Sequence, residues 1–107
     1  MDINTYETAS NFLGSKEDRP LPGRSTRLHR LSDSSIAVRY HWTNVVTYHD
    51  DGSIELDSGG HHTSTTKARI NKYSPVHVYQ RNFEWIVDFT MDDSTEFSDG
   101  MIVEEDA

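Results

Sequence analysis

Six histidines in 107 residues are the first candidates for chemistry. His61 and His62 stand side by side ahead of a helix-like stretch, and His41 and His49 fall at the ends of strand-like stretches. Neutral imidazoles gathered there could hold a transition metal or exchange protons near neutrality. Metal ligation, however, needs a defined spacing. The histidines include no i,i+4 pair and no carboxylate falls at a recognised ligand spacing. The absence of cysteine removes thiolate zinc sites, iron–sulfur clusters, disulfides and thiol nucleophiles. No metal and no cofactor are expected.

Two of these histidines belong to a repeated H-x-T pattern, His41-Trp42-Thr43 and His61-His62-Thr63. Such a pair can serve as acid and base on a phosphodiester, with each threonine holding a phosphate oxygen. Two-histidine phosphoesterases carry the motifs far apart in a duplicated two-lobed fold, whereas twenty residues separate them here. No catalytic residue is therefore assigned, and the chain is not expected to be an enzyme. The second motif overlaps Ser58-Gly59-Gly60-His61-His62-Thr63, followed by Thr65 and Lys67. A glycine turn leading into a helix start can cradle phosphate or carboxylate, so Gly59, Gly60, His61, His62, Thr63, Thr65 and Lys67 form a candidate anion site. Turn formation and helix capping account for the same residues more simply. The G-x-x-x-x-G-K pattern of a nucleotide-binding loop is absent.

Charge is distributed unevenly. The formal net charge is −8, yet residues 91–107 contain seven acids (Asp92, Asp93, Glu96, Asp99, Glu104, Glu105 and Asp106) and no base. Residues 1–90 hold eleven acids against ten bases. The chain reads as a nearly neutral body with an acidic tail, disordered or docked through Phe97, Met101, Ile102 and Val103. Carboxylates on such a tail can replace the phosphates of a nucleic acid in a basic groove. Within the body, Arg27, Arg30 and Arg39 alternate with apolar residues, as on the wet side of a half-buried sheet. High-affinity DNA binding by the chain itself is not expected.

The elements that must position these groups follow from periodicity. Tyr6, Ala9, Phe12 and Leu13 recur at helical spacing within Asp2 to Leu13, with Asp2 as the expected cap and Gly14 as the stop. Residues 14–25, with Pro20, Pro22 and Gly23, read as an exposed connection. Alternating apolar residues then predict a four-strand meander over residues 26–31, 35–40, 45–49 and 53–57, the last turn marked by Asp51-Gly52. A helix is expected over 63–73, ended by Ser74-Pro75. A hairpin over 76–80 and 83–89 follows, turning at Arg81-Asn82. Tyr40, Trp42, Tyr48, Tyr79, Phe83 and Trp85 fall at strand positions and are expected to pack in the core or along one face. The fold class is α+β: one mostly antiparallel sheet of about six strands in residues 1–90, a short N-terminal helix and the acidic tail. An open sheet leaves two edges to cover, so the chain is expected to be a monomer or a homodimer.

One stretch carries a family resemblance. Thr26 to Arg30, Ile36 to Arg39, Thr43 to His49, and above all Asp51-Gly52-Ser53-Ile54-Glu55-Leu56-Asp57-Ser58-Gly59-Gly60 with Thr63-x-Thr65-Thr66-Lys67-x-Arg69-Ile70-Asn71 resemble a group of small uncharacterised proteins encoded by bacteriophages. The similarity spans roughly residues 10–88 and excludes the acidic tail. Relatives of this kind are expected to carry tryptophan just after the double glycine, where His61 stands here. The resemblance implies a setting and transfers no activity: a phage product in the cytoplasm of a bacterial host, in the size range of anti-defence (anti-CRISPR among them) and host-takeover proteins. No apolar run is long enough for a membrane-spanning helix, and Met1-Asp2-Ile3-Asn4 does not open a signal peptide. The leading expectation is a non-catalytic inhibitor of a host protein, itself of the nucleic-acid-binding kind, contacted through the acidic tail and an exposed sheet face. The alternatives are a phosphate-ligand or phosphoesterase-like module at His41, His49, His61 and His62, and a minor structural or assembly protein of the phage particle.

Overall fold

The computed structural model describes residues 2–89 and 93–104. Two helices and nine strands follow in the order α1 (Tyr6–Leu13), β1 (Asp18–Pro20), β2 (Thr26–Arg30), β3 (Ile36–Tyr40), β4 (Thr43–Tyr48), β5 (Ser53–Leu56), α2 (Ser64–Tyr73), β6 (His77–Arg81), β7 (Glu84–Asp88), β8 (Ser94–Glu96) and β9 (Met101–Glu104). The α+β class holds, but the sheet divides in two. One has six antiparallel strands in the order β1-β2-β3-β4-β5-β9, and a separate one has the order β6-β7-β8. The expected single sheet is thereby corrected, because α2 carries the chain off the meander before the β6–β7 hairpin begins. The places beside the meander are filled by β1 and β9 instead.

Helix α1 begins later than its periodicity suggests. Its cap is Thr5 rather than Asp2: the Thr5 hydroxyl accepts from the Thr8 N–H at 3.1 Å while the Thr8 hydroxyl accepts from the Thr5 N–H at 3.0 Å. This reciprocal box satisfies two donors that a helix start otherwise leaves open. The connection expected at residues 14–25 contains β1, which pairs Arg19 with Leu28 and Pro20 with Arg27. Proline has no N–H to give a ladder, so it is tolerated on an edge strand and hides the strand from periodicity.

Register sets the two faces of the larger sheet. Leu28, Val38, Val46, Leu56 and Met101 lie opposite one another in succession, as do Ile36, Tyr48, Ile54 and Val103. These side chains join Ala9, Leu13, Ile70, Tyr73, Val78, Trp85 and Phe97 in one core. Helix α1 packs against β2 and β3, and α2 against β3, β4 and β6. Two polar ties cross this core. The Tyr48 hydroxyl, fully buried, donates to the Tyr73 carbonyl, and burial pushes its pKa up. The Asn71 side chain bonds both the N–H and the carbonyl of Val78, at 2.6 and 2.8 Å, and so fixes α2 to the second sheet. The opposite face of the larger sheet carries Arg27, His29, Ala37, Arg39, Thr47, Glu55 and Ile102.

Candidate binding surfaces at the two ends of the sheet

The β3–β4 connection is a two-residue turn. Tyr40 pairs with Thr43, leaving only His41 and Trp42 to turn the chain. His41 takes φ 54°, a left-handed conformation that glycine normally supplies and that costs a larger residue on the order of 1 kcal/mol. Trp42 is 88% exposed, and at the β6–β7 turn Phe83 is 94% exposed. The expectation that both rings pack is corrected here. Arg81 pairs with Glu84, so Asn82 and Phe83, both at positive φ, form that turn and stand outside the ladder, one residue beyond the predicted Arg81-Asn82.

Trp42 is held from below. The Arg39 guanidinium lies 5.1 Å from the centre of its ring, and Arg39 Nε donates to the His41 carbonyl at 3.0 Å. A cavity opens on each side of this turn. One, of about 390 Å³, is lined by Tyr40, His41, Trp42, Thr43, His61 and Thr63 among others. The other, of about 480 Å³, is lined by Gly23, Ser25, Arg27, Arg39, His41 and Trp42 among others. Both volumes fall within the range of small-ligand sites.

The structure therefore brings both H-x-T motifs to one cavity, and the Gly59 turn is what does it. Gly59 has φ 66° and lies directly against Thr43, so a β-carbon there would overlap the Thr43 hydroxyl and stand 2.9 Å from its methyl. The rest of the expected histidine cluster is dispersed. His49 lies at the other end of the sheet, 3.4 Å from Glu55, because β4 runs its whole length between the two turns. His62 turns away and stacks on Trp85 at 4.4 Å, with Phe97 edge-on at 5.9 Å. Among the described residues no group of three metal-ligating side chains converges.

Within the candidate anion loop, the backbone donors are largely committed to the turn itself. The Gly59 N–H bonds the Asp57 carboxylate, the Gly60 N–H the Ser58 hydroxyl and the Thr66 N–H the Thr63 hydroxyl. His61, Thr63 and Thr65 line the cavity; Gly59, Gly60, His62 and Lys67 are not among its walls. Thr63 and Thr65 bond each other at 3.2 Å, and Thr65 also meets the Tyr40 hydroxyl.

At the far end of the sheet the charge reverses. Asp33, Asp50, Asp51, His49 and Glu55 surround a concavity of about 450 Å³ beside Ile102, which is half exposed. Two hairpin turns repeat one device here. Asp33 accepts from the N–H and hydroxyl of Ser35, and Asp51 from those of Ser53. These bonds, the hydroxyl ones first, hold both carboxylates below their ordinary pKa, so they stay ionised and fixed in place. Strand β9 runs toward this end, with Glu104 opposite Ser53.

The described acids of the tail are divided rather than gathered into one strip. Asp93 and Glu96 lie at the small sheet, where Glu96 pairs with Ile86. Asp99 accepts from the Ser58 N–H at 2.8 Å and from its hydroxyl at 2.6 Å, and so bolts the glycine turn to the C-terminal segment. Burial raises the pKa of Asp99, but the Ser58 bonds and the nearby His62 outweigh it, and the net direction is down. Asp92, Glu105 and Asp106 lie outside the described residues. Phe97 and Val103 are buried, so much of this segment is part of the fold. The basic stretch divides too. Arg30, opposite Ile36 in the ladder, falls on the other face and bonds the Gly14 carbonyl at 3.3 Å, while Arg27 and Arg39 share the outer face as direct cross-strand neighbours.

The exposure of Trp42, expected to pack, and of Ile102, expected as a docking group of the tail, is what the sequence reading did not place. A signal for the first existed: with no Gly, Pro or Asp between Tyr40 and Thr43, a two-residue turn must expose whatever occupies it.

The profile of the Kyanoviridae Gp96 protein family matches residues 12–104, and the chain belongs to that family, a group of bacteriophage proteins. No curated protein and no solved structure matches it. No helix among the described residues is long and apolar enough to cross a membrane.

Proposed function

We propose that this phage protein is a small, non-catalytic interaction protein that inhibits or redirects a factor in the cytoplasm of its bacterial host, docking its acidic sheet end on a basic, nucleic-acid-binding surface of a host protein. The observation that carries this reading is the acidic end itself. Asp33 and Asp51 are fixed and ionised by their serine partners, and Glu55 and Asp50 complete a ring around the exposed Ile102. Carboxylates locked in place attract a cationic groove without first losing side-chain freedom, and an apolar residue at the centre adds desolvated contact. The family supplies the setting, a phage product.

Removing residues 91–107 would be a poor test, because Phe97, Asp99 and Val103 belong to the fold. The cleaner variant combines Asp50→Asn and Glu55→Gln, which removes charge and leaves both serine-capped turns intact. Tagged wild-type and variant protein are exposed to nuclease-treated host lysate at about 150 mM salt, where exposed charges act over roughly 8 Å. The expected result is a defined host protein held by the wild type and released by the variant. Equal retention by both forms would refute docking through the acidic end.

A further inference from the structure

The opposite end of the sheet combines three features that are unfavourable for the isolated chain. Arg27 and Arg39 face each other directly across β2 and β3, an arrangement of like charges that destabilises a sheet pair. Arg27 is offset by Asp18, but among the described residues Arg39 has no carboxylate partner. His41 holds a left-handed turn, and that turn displays an indole almost wholly to solvent. Such costs persist where a partner offsets them, and the facing arginines and the bare indole point to one chemistry. An anion between the arginines relieves their repulsion, and a flat π-system covers the indole.

We propose that the β3–β4 corner binds single-stranded nucleic acid, with a base stacked on Trp42, its phosphates between Arg27 and Arg39, and the neighbouring nucleotides following the two cavities that meet at His41 and Trp42. Single strands offer unstacked bases, which duplexes do not, and base–aromatic stacking beside a cationic groove is the general means of holding them. Arg24 and Arg69 lie along the same edge. Arg69 is folded over Tyr40 at 4.3 Å and bonded to Thr26, which leaves Arg39 as the cation nearest the indole. Direct high-affinity binding was not expected, because the body is nearly neutral and its arginines read as the wet side of a half-buried sheet. The proposal uses the end of the sheet remote from the acidic surface and stands or falls independently of the docking reading.

Binding is followed by anisotropy of a labelled oligothymidylate of about fifteen nucleotides at about 50 mM salt, with oligouridylate, the matching duplex and thymidine monophosphate as competitors. The single strands are expected to bind and compete, the duplex and the mononucleotide much less. Trp42→Ala should weaken binding at least about fivefold, and Trp42→Phe should recover part of it. Arg39→Gln should weaken it and make the slope against salt shallower by about 0.7, the loss of one phosphate contact. Phe83→Ala, which removes an equally exposed ring from the other hairpin tip, should change nothing. Thermal melts of each variant show that the fold is retained. The proposal is overturned if no single strand binds, or if Trp42→Ala and Arg39→Gln bind like the wild type. It is also overturned if Phe83→Ala weakens binding as much, or if the mononucleotide competes as well as the strand. Retention of a protein by this corner, with no oligonucleotide bound, would likewise overturn it.

Discussion

Replacing Gly59 by alanine tests how the two halves of the cavity are joined. Two effects add at this position. A residue with a β-carbon at φ 66° is strained by roughly 1–2 kcal/mol. The new carbon also overlaps the Thr43 hydroxyl and crowds its methyl at 2.9 Å, and overpacking of this kind costs roughly 1–3 kcal/mol. Gly59→Ala should therefore lose about 2–5 kcal/mol, a large part of the 5–15 kcal/mol typical of a domain. Gly60 supplies the internal control. It too has positive φ, 81°, but a β-carbon there meets nothing within 4 Å, so Gly60→Ala should lose only the strain. Thr43→Ala removes the hydroxyl and methyl, leaving a single carbon at 3.1 Å that small shifts relieve. In that background the loss from Gly59→Ala should fall toward the Gly60→Ala value, a coupling of about 1–3 kcal/mol in the double-mutant cycle. Urea unfolding followed by far-UV circular dichroism gives the four stabilities of the cycle and that of Gly60→Ala, with an unchanged m-value confirming a common transition. Equal losses at Gly59 and Gly60, or a Gly59→Ala loss that Thr43→Ala leaves untouched, would refute the close approach that brings His41 and His61 to one cavity.

Phe97→Ala should lose about 3 kcal/mol and shift Trp85 emission to the red, since the Phe97 ring meets Trp85 edge-on at 5.1 Å; urea midpoints and fluorescence check both. Tyr48→Phe should lose about 1 kcal/mol in the same assay, because the Tyr73 carbonyl, deep in the core, would be left without its donor. Asp99 has a depressed pKa in the folded state, so its contribution is fully present above the unfolded value near about pH 4 and is lost as pH falls through the lower folded value. The stability gap between wild type and Asp99→Asn should accordingly be widest at neutral pH and close in strong acid, as urea titrations across that range would show.

The meander and α2 were legible because their signals are local: period-two apolar residues, Asp51-Gly52, and the Thr63 cap with its closing Ser74-Pro75. What escaped was decided by distant pairing. Asp18–Pro20 carries no strand periodicity and exists as β1 only because β2 offers it a ladder. Met101–Glu104, read as tail, becomes β9 because β5 has a free edge and Val103 a place in the core. The site was half legible for the same reason. Its histidine and threonine types stood out in the sequence, but His49 and His62 could be separated from His41 and His61 only by knowing which end of β4 each occupies. The outer-face pairing of Arg27 with Arg39 depends on the β2–β3 register, which no local signal in either strand fixes.

The pairing of β5 with β9 also bears on how the chain is made. Leu56 and Met101, opposite each other in the ladder, are forty-five residues apart in sequence. During synthesis the meander emerges with β5 as a bare edge, and it stays bare until both α2 and the second sheet have left the ribosome. An uncovered edge is a template for pairing with other chains, and long-range closure is slow. The carboxylates clustered at the Asp50-Asp51 turn, one residue away from that edge strand, then serve the nascent chain as well, by keeping unfinished copies apart through charge.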